Sequence, residues 1–381
     1  MTGATAVPAS DVDNIAAPLD ALLVDAAFGP WRRLMPDSST ARLAGRLVRR
    51  PVTTARRLGS LVGELGRIGS GGSRLTPTPR DRRFTDQAWT RNPVLRRVVQ
   101  AYLATGRTVE QLISDADLGW RDDQRVRFLA ENLMEALAPS NVPGLNPASL
   151  KEAIDTAGLS AVRGARNLVR DLAQPPRVPQ MVDTTAFTIG ENVAATPGAV
   201  VLRTELFELI QYTPQTPTVR EVPLLLVPPT INKYYAIDLA PGRSWIEHIV
   251  RSGQVVFTMS WRNPDARHAA WGLDTYVQAV LDALDGVARV CRTERAVLAG
   301  ICSGGILAVL AASQLAGTDR LAGLGLAVSV LDHRQAGIPA ALADRYLAAA
   351  ATSMSRRRGY LDGRNLGELF AWLRPGARSM A

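Results

Sequence analysis

The sequence predicts an α/β protein in which a helical region precedes a parallel-sheet domain. Two patterns carry that prediction. Apolar residues recur at helical spacing through much of the first 172 residues. After Pro175, short runs that are apolar throughout alternate with amphipathic segments, as in a parallel sheet covered on both faces. Of the 381 residues, 46% are hydrophobic and 21% charged, which supplies ample material for a core and excludes wholesale disorder.

The elements follow in order. Residues 1 to about 30 read as a loose terminus with one short helix. From Thr40 to Ile68, Leu43, Leu47, Leu58, Leu61, Leu65 and their apolar neighbours mark a helix interleaved with arginines. Pro51 must kink or split it, because proline removes a donor and crowds the preceding turn. The run GSGGSRLTPTPR (69–80) reads as a linker. Helices are expected over Pro93–Thr105, Asp122–Leu137 and Ala148–Leu172. Ala199–Leu202 and Glu205–Gln211 then read as paired strands. PLLLVPP (223–229), QVVFTMSW (254–261), AVLAGI (296–301) and LAGLGLAVSVL (321–331) read as buried strands. Helices near Ser244–Ser252, from about Leu273 to Val290 and from Gly304 to about Leu315 separate them. The expected domains are a basic, partly flexible segment over 1–80, a helical region over 81–180 and the sheet domain over 181–381.

Composition excludes several function classes. Two cysteines, Cys291 and Cys302, exclude a disulfide scaffold and a cysteine-rich zinc module. Three histidines, His248, His268 and His333, leave little for a metal cage, and neither metal nor cofactor is expected. The net charge is +9, all but two of the 44 cations are arginine, and 16 arginines against four acidic residues fall between Trp31 and Arg97. That stretch lacks interleaved aromatics or a known module, so nucleic acid is not an expected partner. MTGATAVPAS is no signal peptide, and GGILAVLAASQLAG from Gly304 is too short and polar to span a membrane. A cytoplasmic protein with reduced thiols is expected.

The sharpest local signal is Gly300-Ile301-Cys302-Ser303-Gly304-Gly305, set between an apolar strand and an apolar helix. It is a G-x-C-x-G form of the nucleophile elbow. The strand-to-helix turn is so tight that side chains two positions either side of the nucleophile would collide. Cys302 would stand exposed at a helix N-terminus, where free amides favour a thiolate and an oxyanion. The Ser303 N–H is placed to donate to that oxyanion. A second donor is expected from VPPTINKYY (227–235), at Ile231. The bland alternative is that Gly300 and Gly304 only permit close packing and Cys302 is an inert thiol. For Cys291, a packing role is expected.

With these residues in view, the sequence resembles the polyhydroxyalkanoate synthases, bacterial polymerases of 3-hydroxyacyl-CoA. GICSGG matches that family's Cys-containing lipase-like box. PLLLVPPTINKYYAIDLAPGRS (223–244), SWRNPD (260–265), DRRFTDQAW (81–89), NVPGLNPASLKE (141–152) and ENVAATPGAVVLRTELFELIQYTP (191–214) resemble its characteristic segments. WGLDTYVQA (271–279) and GYLDGRNLGELFAWLRP (359–375) look most like the medium-chain-length branch, class II. The resemblance implies an α/β-hydrolase-like domain in which Cys302 takes an acyl group from acyl-CoA as an enzyme thioester. The hydroxyl end of a growing polyester would then attack that thioester. It also implies a polyester granule surface, granule coat proteins, and a homodimer or a full-length synthase as partners.

The family's acid and histidine base lie beyond the equivalent of Pro375, and this sequence ends six residues later, in GARSMA. The expectation is therefore a fold incomplete at its C-terminus and a chain that polymerises poorly by itself. The alternative is an inactive homologue that binds granules or pairs with a synthase. His333, 31 residues after Cys302 and beside Asp332, reads better as a loop residue than as the base. His248 and His268 read no better. Asp265 reads as a turn cap. Trp261, Tyr234 and Tyr235 could line an acyl channel, though aromatics at strand ends are usually core or rim, and Lys233 and Arg262 could meet CoA phosphates, though solvated charges are the default. The Thr40–Ile68 helix could lie on the granule surface or pack as a solvated helix.

Overall fold

Pro51 splits the arginine-rich helix. In the computed structural model, which describes residues 36–79, 81–173, 184–332, 341, 345–360 and 363, α1 (Ser38–Arg49) ends at Arg50 and α2 (Pro51–Ser70) begins immediately after it. Asp37 caps α1, accepting from Ser39 N at 2.9 Å, and Gly71 closes α2 with a left-handed φ of 81°. Short α3 (Ala88–Arg91), α4 (Pro93–Ala116) and α5 (Trp120–Ala136) follow. Arg57 on α2 grips Asp115 on α4 with two bonds, 2.7 and 3.1 Å. Ser39 Oγ and Arg42 on α1 both donate to Asp122 on α5, at 2.8 and 2.7 Å. Three arginines of that stretch, Arg42, Arg50 and Arg57, thus pair with Asp122, Asp117 and Asp115 of the helical unit.

Two sequence expectations change here. The 69–80 run is tied down in part, because the buried Gln100 side chain donates to the carbonyls of Ser73 (3.1 Å) and Leu75 (3.0 Å). The Ala148–Leu172 helix is two helices, α6 (Pro147–Asp155) and α7 (Leu159–Ala173). Ala157 and Gly158 take φ values of 50° and 86°, and that left-handed pair ends one helix before the next begins. Phe84, Trp89 and Val99 form a small buried cluster, with the Phe84 and Trp89 rings perpendicular at 5.3 Å.

The second unit takes in residues 184–332, 354–360 and 363, and the helices above belong to the first. Its six strands are β1 (Gly198–Arg203), β2 (Phe207–Tyr212), β3 (Leu224–Val227), β4 (Val256–Trp261), β5 (Ala296–Ile301) and β6 (Leu321–Ala327). They lie in the order β1-β2-β4-β3-β5-β6. β3, β4, β5 and β6 are parallel, while β1 and β2 form an antiparallel hairpin whose inner strand pairs antiparallel with β4. Helices α8 (Trp245–Arg251), α9 (Leu273–Cys291) and α10 (Ser303–Gln314) connect them. This order, with a helix launched sharply from the fifth strand, makes the unit an α/β-hydrolase-like fold.

The central strands are covered on both faces. On one, Leu209, Leu225, Phe257, Met259 and Leu298 are buried against Val280, Ala283 and Val287 of α9 and Leu307, Ala308 and Ala311 of α10. On the other, Leu226 and Val256 pack with Ile246 and Val250 of α8. The outer strands differ, leaving Val200 on β1 and Leu324 and Leu326 on β6 exposed. No helix among the described residues is long and apolar enough to cross a membrane. Phe257 is fully buried at the centre of the sheet, so Phe257→Ala is expected to cost about 3–5 kcal/mol of stability. Urea unfolding of the variant against the parent measures it.

Candidate active site

Cys302 sits at a one-residue turn from strand to helix in the second unit. β5 ends at Ile301, α10 starts at Ser303, and the single residue between them has φ 54° and ψ −121°. An L-residue avoids that region unless its surroundings force it there, at a cost of roughly 1–3 kcal/mol. The surroundings are close-packed. A Cβ on Gly300 would lie 2.6 Å from Gly304 O and 2.8 Å from the Ala308 Cβ. One on Gly304 would lie 2.5 Å from Pro228 O, and one on Gly305 2.6 Å from the Ser329 Cβ. Each gap is below any real Cβ contact, so all three glycines are needed for the turn. Cys302 N donates to Ala327 O at 3.0 Å, and Ser329 Oγ donates to Cys302 O at 3.2 Å, which ties the elbow to the end of β6. The thiol itself is exposed.

Next to the elbow runs the loop after β3. Because Gly304 has no side chain, the first turn of α10 lies against the carbonyls of Val227 and Pro228. The buried Ser303 hydroxyl accepts from Thr230 N at 3.1 Å and lies 3.3 Å from Thr230 Oγ1. Sequence reasoning singled out Ser303 for its amide; its side chain is the tie to the loop that carries Ile231. The Ser303 amide lies in a first helical turn, whose N–H groups have no intrahelical acceptor. Trp261 Nε1 donates to Pro228 O at 2.9 Å, and Lys233 Nζ donates to Asn263 Oδ1 at 3.0 Å, joining this loop to the one after β4. At the far end of the loop, buried Asp238 accepts from Thr196 Oγ1 at 2.6 Å and Thr196 N at 3.3 Å. Sequence reasoning missed that pair, since 42 residues separate the partners. The neighbouring Tyr212 hydroxyl is buried with no hydrogen-bond partner among the described residues, and burial, then the charge of Asp238, pushes its pKa far up.

Most of the remaining candidates have partners of their own. Asp265 caps the turn Ala266–His268 and pairs with Arg267 at 2.7 Å, and those bonds hold its carboxyl well below the usual range. Buried His268 accepts from Asp265 N through Nδ1 at 3.0 Å and stacks on Trp271 with ring centroids 4.0 Å apart. That is a structural environment. His248 is exposed on α8, and Arg262 is tied to the backbone of Glu205. Tyr234 packs edge-on against Tyr235. His333 and most of 359–375 lie outside the described residues. Among the described residues no side chain hydrogen-bonds the Cys302 thiol, and none group into a metal site. Cys291 is half-buried at the end of α9, and burial pushes its thiol pKa up.

Two outcomes follow from this geometry. Glycine adopts the Cys302 backbone conformation without strain, so Cys302→Gly is expected to be about 1 kcal/mol more stable than Cys302→Ala, read from their denaturant midpoints. Iodoacetamide near pH 7.5 is expected to label Cys302 well before Cys291. The second thiol is less accessible, and its raised pKa leaves less thiolate at any pH below it. Peptide mass spectrometry over time reads the order.

Comparisons with known proteins agree on one family. Residues 80–249 match the family model described as poly-beta-hydroxybutyrate polymerase (PhaC) N-terminus. The chain is 40% identical over 341 residues to poly(3-hydroxyalkanoate) polymerase 2 of Ectopseudomonas oleovorans, covering 89% of this chain and 61% of the relative. It is 37% identical over 308 residues to the poly(3-hydroxyalkanoate) polymerase of Methylorubrum extorquens, covering 79% and 51%. With the PhaC polymerase subunit of Cupriavidus necator it shares 34% identity over 316 residues, covering 81% and 53%. The chain thus spans between half and about three fifths of the length of these relatives. A crystal structure of a putative lipase from Sulfolobus solfataricus aligns over 34% of this chain and 47% of that one at 19% identity. Its TM-score of 0.26 is too low to bear on the fold. The sequence matches extend from the helical unit through the strand–elbow–helix segment, and over that span the chain is similar to the poly(3-hydroxyalkanoate) polymerases.

Proposed function

We propose that this chain carries the acyl-transfer centre of a polymerase that moves 3-hydroxyacyl groups from acyl-CoA onto a growing polyester. Cys302 is the nucleophile in this reading. Its thiolate attacks the thioester carbonyl, and the oxyanion that forms faces the Ser303 N–H and an amide of the 230–231 segment, Ile231 being the second donor. Collapse expels CoA as a thiolate, which takes up a proton, and leaves the acyl group on Cys302. The hydroxyl oxygen of the polymer end then attacks that enzyme thioester. Its proton passes to a base, the new ester C–O bond forms, and the Cys302 thiolate leaves. Gly300 and Gly304 serve by leaving room for the turn.

The observation that supports this most is the strained, exposed placement of Cys302, held by three glycines that admit no side chain. A buried packing thiol would require neither. Sulfur also suits the chemistry. Exchange of one thioester for another is nearly isoenergetic, so the acyl group stays activated for the hydroxyl, whereas a serine ester would lose that activation. An esterase reading fits less well for the same reason. The reading of the chain as a silent granule-binding homologue is not favoured by its relatives, which are named as polymerases.

The family resemblance places the base and its acidic partner beyond the equivalent of Pro375. It also supplies the finer parts of the proposal: a preference for medium-chain substrates, a cytoplasmic location at the polyester granule surface, granule coat proteins as partners, and pairing with itself or a full-length synthase. The first half-reaction tests the centre without polymerisation. Mixing the protein with a 3-hydroxyacyl-CoA is expected to release about one equivalent of CoA and add the acyl mass to the Cys302 peptide. Simple oxygen esters should give no adduct. An adduct on Cys291, or equal CoA release by Cys302→Ala, would overturn the assignment.

A further inference from the structure

The Thr40–Ile68 segment is the cationic helix that draws attention in the sequence, but α7 is the amphipathic helix exposed over ten consecutive residues. Every residue from Ala161 to Arg170 is exposed, the apolar ones included. Leu159, Val162, Leu168 and Val169 are between 58% and 70% exposed, and Ile154 on α6 continues the surface at 70%. On a helical projection Ala161, Val162, Ala165, Leu168 and Val169 share one face. Arg163, Arg166 and Arg170 form a row along one rim of that face. Arg163 and Arg166 have no carboxylate partner among the described residues, and Arg170 reaches only its neighbour Asp171, at 3.6 Å.

A helix of 15 residues is marginal in water unless its apolar face is packed. The charge pattern decides what would cover this one. In a second copy of the chain, antiparallel twofold pairing would set the arginine row against itself. Parallel pairing would offer each row a rim whose one carboxylate, Asp171, already lies beside Arg170. A negatively charged, apolar-cored interface complements both features: the guanidinium groups meet anionic headgroups while the valines and leucines enter the boundary beneath. α2 differs in being packed along α4, where Arg57 bonds Asp115, although its Val52 and Val62 also stay exposed. We infer that α7 is a surface-binding helix that lies in the plane of an anionic phospholipid layer. The inference stands apart from the acyl-transfer reading and holds whether or not Cys302 is acylated.

The test uses the full chain with vesicles of phosphatidylcholine alone and of phosphatidylcholine with 30% phosphatidylglycerol, read by co-sedimentation. Binding is expected only to the anionic vesicles and should weaken as salt rises. Replacing Arg163, Arg166 and Arg170 together by Ala should weaken it on the order of a hundredfold, at roughly fivefold per arginine. The double variant Val162→Asp, Val169→Asp should abolish binding, and because both positions are exposed its thermal unfolding should match the parent. Cys302→Ala should bind as the parent does, which separates this result from any failure of the acylation assay. Equal binding to neutral vesicles, no binding to either, or anionic binding unchanged in the α7 variants would overturn the inference. So would self-association of the parent that the double Asp variant abolishes, which would assign the face to a second copy.

Discussion

The closeness of α10 to the end of β3 is the constraint on which the rest of the site depends. With no side chain on Gly304, the first turn of the helix lies against the carbonyls of Val227 and Pro228. With none on Gly300 or Gly305, the strand before it and the helix after it can fold back to back. Cys302 is left as the hinge, in a backbone conformation that costs roughly 1–3 kcal/mol. The helix it launches buries Leu307, Ala308 and Ala311 against the sheet. A single buried leucine is worth about 1.5–3 kcal/mol, so packing of α10 offsets the strain. The exposed thiol is the by-product of that balance, and so is the presentation of the Ser303 amide beside it.

The same approach organises the loop opposite. Ser303 holds Thr230, Trp261 holds Pro228 and Thr196 holds Asp238, so both ends of the 228–238 segment and Thr230 within it are fixed by side chains from elsewhere in the unit. A loop fixed this way can present amides without reorganising as charge develops, which is what an oxyanion site needs. His268 and Asp265 show the contrast. Asp265 is bonded to Arg267 and His268 Nδ1 accepts from Asp265 N, so their partners within the short turn match a structural role.

Local rules made much of the fold legible. The apolar run AVLAGI is β5 to the residue, because a buried parallel strand tolerates no polar position and its neighbours Arg295 and Cys302 differ in kind. Pro51 divides its helix where proline chemistry says it must. The break at Ala157–Gly158 escaped notice because the apolar period continues across it; only the backbone sign change at two residues reveals it. The grip of Gln100 on Ser73 and Leu75 was equally hidden, since a linker composition carries no record of a distant side chain that binds its carbonyls.

The sequence by itself determined the order of strands and helices, the elbow with its three glycines and the cysteine between them, and the family resemblance. These are local: spacing, residue size and the Gly–Cys pattern are written along a few consecutive positions. Tertiary structure alone decided which arginines are paired and which helix keeps an open apolar face. It also showed that the Ser303 hydroxyl, rather than its amide only, matters to the loop, and that Asp238 is the anchor. The reason is physical. Pairings such as Asp238 with Thr196 or Arg57 with Asp115 join residues 42 and 58 positions apart, and their energy depends on distance and burial, neither of which is written in the order of the residues.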